Sequence, residues 1–397
     1  MLRHSSILAP SVFRWYLRAA EAGNAYAQFN LGLLYRHGTG VPRNDAAACR
    51  WLRRAAVQGL AFAQNHLGSM VFLGRGTPQS DQEAAHWFAL AARQGDASAQ
   101  QNLGDLYRVG RGVPRDPVRA VGWYYRAAEQ ELASAERLLG LCYLAGDGVD
   151  PNDPLAMAWF RKAALRGDAQ AAHELGLMYR HGRAAPASAA EALYWWRRAA
   201  ACGHAPSQRL LGLACLEGAA PDVQAASAWL DCAAAQGDAE ARCRLGQLLL
   251  ARGDGGGRAV ALIRLAAEQG HAPAQYQLGV LHADGKAVPR DLRRAADWYR
   301  RAAEQGDASA QNNLGALYAE GRGVPQDDAQ AVAWYGRAAA QGHALAQYNL
   351  GAMVGRGRGA ARSSVQAAMW MVLATESGAP ARRRWRAEDD VGGRRAA

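Results

Sequence analysis

Small and hydrophobic residues recur along the chain with a period close to 36 positions. A Leu-Gly pair returns ten times, and the steps between its glycines are 36, 36, 36, 36, 36, 34, 33, 36 and 36 residues. A tryptophan series runs in phase with this pair from Trp15 to Trp370, with Leu262 in place of one tryptophan. A fixed period of this length indicates one supersecondary unit that is repeated and stacked on its neighbours.

Within each unit the apolar positions predict two helices. In one well-formed unit, helix A covers residues 308–319 and helix B covers about 328–340. The spacing of Ala331, Trp334 and Ala338 places them on one face of helix B. The pattern therefore predicts an all-α protein with ten A helices, eleven B helices and no sheet.

The segment between the two helices, GRGVPQD, has the composition of a helix end followed by a helix start. Gly321 can adopt a positive φ after helix A, Pro325 cannot continue a helix, and Asp327 or Asp328 can cap helix B. The glycine inside helix A, Gly315 in this unit, costs roughly 1 kcal/mol relative to alanine. We interpret it as a packing notch for the tryptophan of an adjacent helix B, which makes the tryptophan a core residue.

The repeats define the predicted domain organisation. Residues 1–11 are expected to be a flexible N-terminus, residues 12–378 the repeat solenoid, and residues 379–397 a basic, disordered tail that contains Trp385. The repeat units are predicted near residues 24–59, 60–95, 96–131, 132–167, 168–203, 204–237, 238–270, 271–306, 307–342 and 343–378.

Composition adds a strong positive charge to this picture. The formal net charge is +11, and almost all the cations are arginines, because lysine occurs only at Lys162 and Lys286. The charge is spread along the chain, which we interpret as a compositional bias. The alternative is binding of nucleic acid or an acidic partner through the Arg-rich outer face of the B helices or through the tail.

Cysteines and hydropathy bound the compartment and the covalent chemistry. The six cysteines form no CxxC pair and no regular spacing, which argues against a zinc site and a disulfide ladder. The first residues do not form a convincing signal peptide, and no stretch approaches 18 apolar residues. We expect a cytoplasmic protein if the start is correct, and a periplasmic or secreted one if an upstream signal peptide is missing.

The unit DASAQNNLGALYAEGRGVPQDDAQAVAWYGRAAAQG resembles the Sel1-like repeat, a relative of the tetratricopeptide repeat. The resemblance implies a right-handed α-solenoid of about ten stacked antiparallel helix pairs. It also implies a non-catalytic adaptor that binds a protein or peptide in its concave groove, in bacterial signalling, regulation or envelope-related assembly. One branch of the family is cysteine-rich and has β-lactamase activity. The regular cysteine pairs of that branch are missing here, so this alternative is disfavoured.

Enzyme motifs are absent from the sequence. The residues three positions before the two lysines are Trp159 and Ala283, so no S-x-x-K motif exists. The glycine pair Gly110/Gly112 follows a predicted helix and lacks a third glycine, so we do not expect a phosphate loop. We predict no catalytic residue, no cofactor and no metal.

The histidines occupy structural positions in the pattern. His204, His271 and His343 stand directly after the glycine that ends a repeat, where other repeats have aspartate, so we expect a capping or turn role. His173 and His181 share one predicted A helix but lack a carboxylate at ligand spacing.

Partner-binding residues are expected on the A helices, which line the groove if the resemblance to tetratricopeptide repeats holds. The position after the helix A tyrosine alternates between arginine and an apolar residue. This pattern allows two readings: drift between two tolerated residue types, or arginine anchors for carboxylates between apolar pockets. The second reading, with two tyrosines further along, predicts partner-binding residues Arg36, Phe72, Arg108, Leu144, Arg180, Leu216, Tyr276 and Tyr348.

Overall fold

The computed structural model describes residues 10–217, 220–253 and 256–377. Throughout these ranges every regular element is an α-helix. The chain divides into two units, the first ending at His204 and the second beginning at Ala205. The predicted basic tail, with Trp385, and most of the predicted flexible N-terminus lie outside the described residues.

Each helix packs against its sequence neighbours within its unit. The described helices of the first unit are α1 (Pro10–Glu21), α2 (Ala25–His37), α3 (Asp45–Val57), α4 (Ala61–Phe72), α5 (Asp81–Arg93), α6 (Ala97–Val109), α7 (Pro117–Glu129), α8 (Ala133–Ala145), α9 (Asp153–Leu165), α10 (Ala169–His181) and α11 (Ala189–Ala201). Those of the second unit are α12 (Ala205–Ala214), α13 (Val223–Ala235), α14 (Ala239–Ala251), α15 (Gly256–Glu268), α16 (Ala272–Asp284), α17 (Leu292–Glu304), α18 (Ala308–Glu320), α19 (Asp328–Ala340), α20 (Ala344–Arg356) and α21 (Ser364–Glu376). Even-numbered helices are A helices and odd-numbered ones are B helices, which confirms the predicted solenoid of helix pairs.

Capping residues set the helix ends as the sequence predicts. Asp307 accepts a hydrogen bond from the backbone N–H of Ala310 at 2.7 Å and begins α18, which ends at Gly321 with φ 65°. Asp327, rather than Asp328, begins α19 by accepting from the N–H of Gln330 at 2.9 Å. Each cap satisfies a backbone group that the helix itself leaves unpaired.

The glycine of helix A is a packing notch, but its occupant differs from the one predicted. A Cβ on Gly140 would lie 2.6 Å from the ring of Phe160, and one on Gly315 would lie 2.9 Å from the ring of Tyr335. The occupant is therefore the residue directly after the tryptophan position. Consecutive helix residues point in directions about 100° apart, so the tryptophan and the residue after it cannot both face the glycine. Trp334 instead belongs to the core cluster formed by residues of α17 and α18.

A cation covers the tryptophan of most repeats from one turn further along helix B. The Arg54 guanidinium lies 4.6 Å from the centre of the Trp51 ring, and the Lys162 ammonium lies 4.1 Å from that of Trp159. This spacing of three residues brings side chains together on a helix surface, and a cation is attracted to the indole face. Part of the arginine content of the B helices thus serves the stacking of repeats.

Glutamines connect consecutive repeats through buried hydrogen bonds. Gln64 of α4 donates to the carbonyl of Ala56 at 3.1 Å and accepts from Gln94 of the next B helix at 2.8 Å. The same pairing recurs in both units, and buried Glu136 replaces it once by accepting from the guanidinium of Arg166 at 3.2 Å. A buried amide needs both its donor and its acceptor satisfied, so these pairs specify how one repeat sits on the next.

The Gly-Arg-Gly segment also contacts the preceding repeat. Arg111 donates to both carboxylate oxygens of Asp81 at 2.9 and 2.8 Å, across a sequence separation of 30 residues. A Cβ on Gly112, whose φ is 69°, would lie 2.1 Å from the carbonyl oxygen of Asp81. The second glycine is therefore required by close approach of two backbones, and the segment positions the A helices that carry the candidate site.

A candidate partner-binding cavity between α6 and α8

Two of the residues predicted to bind a partner, Arg108 and Leu144, line one cavity in the first unit. Its volume is about 320 Å³. The remaining lining residues are Leu138, Leu141, Cys142, Ala145, Asp147 and Arg183. The wall is mostly aliphatic, with charged groups at its margins, which is the composition of a pocket for an apolar side chain.

The lining follows from the helical register of α6 and α8. Leu138, Leu141 and Leu144 are spaced by three residues and share one face of α8. Arg108 stands in the last turn of α6, before the capping glycine Gly110. The Leu-Gly pair of α8, Leu139 and Gly140, is buried. The neighbouring positions Leu138, Leu141 and Leu144 therefore line the cavity.

Arg108 carries a donor that no described residue satisfies. Its Nε is buried and has no hydrogen-bond partner among the described residues. The neighbouring Tyr124 hydroxyl donates to the carboxylate of Asp105 at 2.7 Å. Burial by itself lowers the pKa of Arg108, but a hydrogen bond with Tyr124 and the charge of Asp105 outweigh it, so the net pKa shift is upward. The side chain is therefore a fixed cation with spare hydrogen-bonding capacity.

The other charged groups of the cavity are already engaged. Arg183 donates to both carboxylate oxygens of Asp153 at 3.0 and 2.6 Å. Asp147 contacts the guanidinium of Arg115 at 3.4 Å. Burial raises the pKa of the Cys142 thiol to about 11, so at neutral pH it is an uncharged part of the wall. Among the charged lining residues, Arg108 is the one with a buried donor that no described residue satisfies.

The other predicted residues of the first unit do not line this cavity. Arg36 is half-buried at the end of α2, and Arg180 is exposed at the end of α10. The ring of Phe72 is covered by the Arg111 guanidinium, which lies 4.3 Å from the ring centre. Of the alternating positions, Arg108 and Leu144 share this cavity.

Three predicted residues belong to the second unit. Leu216 lies in a turn beyond the end of α12, because its N–H bonds the carbonyl of Leu213, three residues back. It is therefore not an A-helix residue as the series implies. Tyr276 lies against Tyr299, with ring centres 5.9 Å apart, and Tyr348 is half-buried on α20.

Histidines and cysteines have structural surroundings in the described part of the chain. His271 and His343 cap α16 and α20 by accepting N–H groups at 3.3 and 3.2 Å, which confirms their predicted role. His173 packs against His204 with ring centres 4.8 Å apart. Across residues 10–217, 220–253 and 256–377, no three His, Cys, Asp or Glu side chains group closely enough to hold a metal. All six cysteines are free.

The sequence reasoning missed Leu138, Leu141 and Arg183 as cavity residues. The leucine spacing on α8 was a usable signal, since residues three apart share a helix face. Arg183 was not predictable, because its loop reaches the cavity only through contact between repeats. Of the helices described, none is long and apolar enough to cross a membrane.

Comparisons with known proteins agree with this architecture. A family model described as Sel1 repeat matches residues 13–24, 25–60, 61–96, 97–132, 133–168, 169–204, 205–238, 239–271, 272–307, 308–343 and 344–378. The crystal structure of c5321, a protective antigen of uropathogenic Escherichia coli strains with an SLR fold, is 36% identical, with a TM-score of 0.74 over 92% of this chain and 81% of that one. A Sel1 repeat protein from Oxalobacter formigenes is 30% identical, with a TM-score of 0.48 over 87% of this chain and 91% of that one. No curated protein matches the chain.

Proposed function

The chain belongs to the Sel1 repeat family, and from that premise we propose that it is a non-catalytic scaffold that binds a protein partner along its A helices. The cavity at Arg108 and Leu144 carries this proposal. It combines an aliphatic wall with a cation whose Nε is buried without a partner among the described residues, whereas Arg183 and Asp147 already form ion pairs. We propose that it receives an apolar side chain of the partner with a carboxylate beside it.

The biological setting we propose is bacterial signalling, regulation or envelope-related assembly. The support is the likeness to c5321, which is described as a protective antigen in uropathogenic strains.

The test begins with a partner identified by crosslinking and affinity capture from the native organism. Its affinity for the purified protein is then measured by titration calorimetry against two charge-reversal variants. Arg108→Glu removes the cavity cation, and Arg93→Glu makes the same charge change on an exposed residue at the end of α5. We expect binding to weaken about tenfold or more for Arg108→Glu, because a buried charge pair is lost, and to change little for Arg93→Glu.

As a control, circular dichroism of both variants should show the helical content of the unmodified protein. Equal loss of affinity in the two variants would mean that overall charge, and not the cavity, governs binding.

A further inference from the structure

In two repeats, successive B helices are joined by an ion pair at the same position of the repeat pattern. The first residue of this position stands two places after the tryptophan position of one B helix. The second stands four places before the tryptophan position of the next B helix. In the first unit these are Arg53 and Glu83, whose guanidinium and carboxylate lie 2.6 Å apart. In the second unit Asp231 and Arg258 occupy the same position and form an ion pair with the charges reversed. We call this position the B–B slot.

Between α15 and α17 the B–B slot holds two arginines, Arg264 and Arg294. Both line a cavity of about 370 Å³. The other lining residues are Leu278, His282, Asp297, Trp298 and Arg301. Two like charges thus share the register that forms an ion pair in the two repeats above, and Arg301 lines the same cavity.

The anionic groups near this cavity do not neutralise it. Asp297 contacts Arg300, one turn further along α17, at 3.2 Å. Asp291 contacts Arg294 at 3.3 Å within the start of α17. Arg264 forms no ion pair with any residue that the structure describes. Arg301 lies on the Trp298 ring, 4.5 Å from its centre. Three arginines therefore line a space in which Asp297, the acidic lining residue, already has a cationic contact.

A buried histidine adds a second, independent signal. His282 is 6% exposed, lines the same cavity, and has an Nδ1 that meets no hydrogen-bond geometry with a described residue. Burial lowers the pKa of His282, and the nearby Pro289 carbonyl opposes this only in part. A buried polar atom that lacks a partner is costly, and it commonly marks a place where a ligand or ion completes the network.

We propose that the cavity of Arg264, Arg294, Arg301 and His282 is a binding site for a phosphate-class oxyanion. The anion takes the place of the carboxylate that completes the B–B slot at Arg53 and at Arg258. Guanidinium groups recognise phosphate through paired N–H donors, and three of them suit a tetrahedral dianion better than a single carboxylate. The volume suits a phosphate group with a small substituent, and the site shares no lining residue with the proposed partner cavity.

The experiment uses the full-length protein and inorganic phosphate as the probe. Binding is followed by calorimetry and by the NMR titration of His282, with acetate at matched ionic strength as the comparison anion. Two variants carry the same charge change on adjacent residues of α17. Arg294→Glu rebuilds the ion pair seen at Arg53 and Glu83, and Arg293→Glu alters an exposed neighbour outside the cavity.

We expect saturable phosphate binding to the unmodified protein, little binding of acetate, and an increase of the His282 pKa when phosphate is present. Arg294→Glu is expected to weaken phosphate binding about tenfold or more, while Arg293→Glu leaves it within about twofold. Equal weakening in both variants would reduce the effect to general charge attraction. Absence of saturable binding at millimolar phosphate, or acetate binding as tight as phosphate binding, would also overturn the proposal.

Discussion

Replacing Gly140 by alanine tests the packing notch of the A helices. The new Cβ would lie 2.6 Å from two carbons of the Phe160 ring, where ordinary contact begins near 3.4 Å. Phe160 is fully buried, so the ring has no free space to move into. Overpacking of a core costs about 1–3 kcal/mol, and the gain in helix propensity offsets about 1 kcal/mol of this. We expect the free energy of unfolding to fall by up to about 2 kcal/mol, the difference between these two terms.

The matched control is Gly122→Ala in α7. This glycine is also helical, but a Cβ there would meet nothing within 4 Å. Because only the propensity changes, we expect this variant to be more stable by about 1 kcal/mol. Urea unfolding followed by circular dichroism measures both variants in the same first unit. Similar stabilisation by both alanines would refute the notch, and similar destabilisation would show that the glycines act through something other than the ring.

Two further predictions concern the backbone and the helix caps. Ala184 has a φ of 63°, a conformation that favours glycine, so Ala184→Gly should raise the free energy of unfolding by about 0.5–1 kcal/mol; a lower urea midpoint would contradict this. His271 and His343 cap helices through unprotonated nitrogens, and burial lowers the pKa of both imidazoles. The unfolded chain then binds protons first as the pH falls, so the stability from these caps is present above about pH 6.5 and is lost below it. Between about pH 7.5 and about pH 5.5, the double variant His271→Asp, His343→Asp should lose less stability than the unmodified protein. Urea midpoints measure this difference. An equal loss in both proteins would exclude the histidine caps as the source of the pH dependence.

The fold was predictable from sequence because its signals are local and repeated. Helix ends follow from residues such as Gly321 and Asp327, and each helix follows from apolar spacing within about a dozen residues. The occupant of the notch was not predictable in the same way. Trp334 and Tyr335 are adjacent, and the choice of which one faces the glycine depends on how helix B is rotated against helix A.

The candidate sites were predictable only in part, because they depend on contacts between repeats. The alternating series indicated Arg108 and Leu144 together, but it also indicated Leu216, which the end of α12 places in a turn. The two arginines of the B–B slot, Arg264 and Arg294, are separated by 30 residues in sequence. Their opposition became visible only when the structure placed them beside one cavity.

Site-specific photocrosslinking tests the central claim, that variable A-helix positions bind a protein partner. A photoreactive amino acid at Leu144, inside the cavity, is compared with one at Leu155, which is 42% exposed on the neighbouring B helix α9. We predict that the partner crosslinks through position 144 but not 155, and that Arg108→Glu abolishes the crosslink. A partner that crosslinks equally through both positions, or only through position 155, would contradict the account.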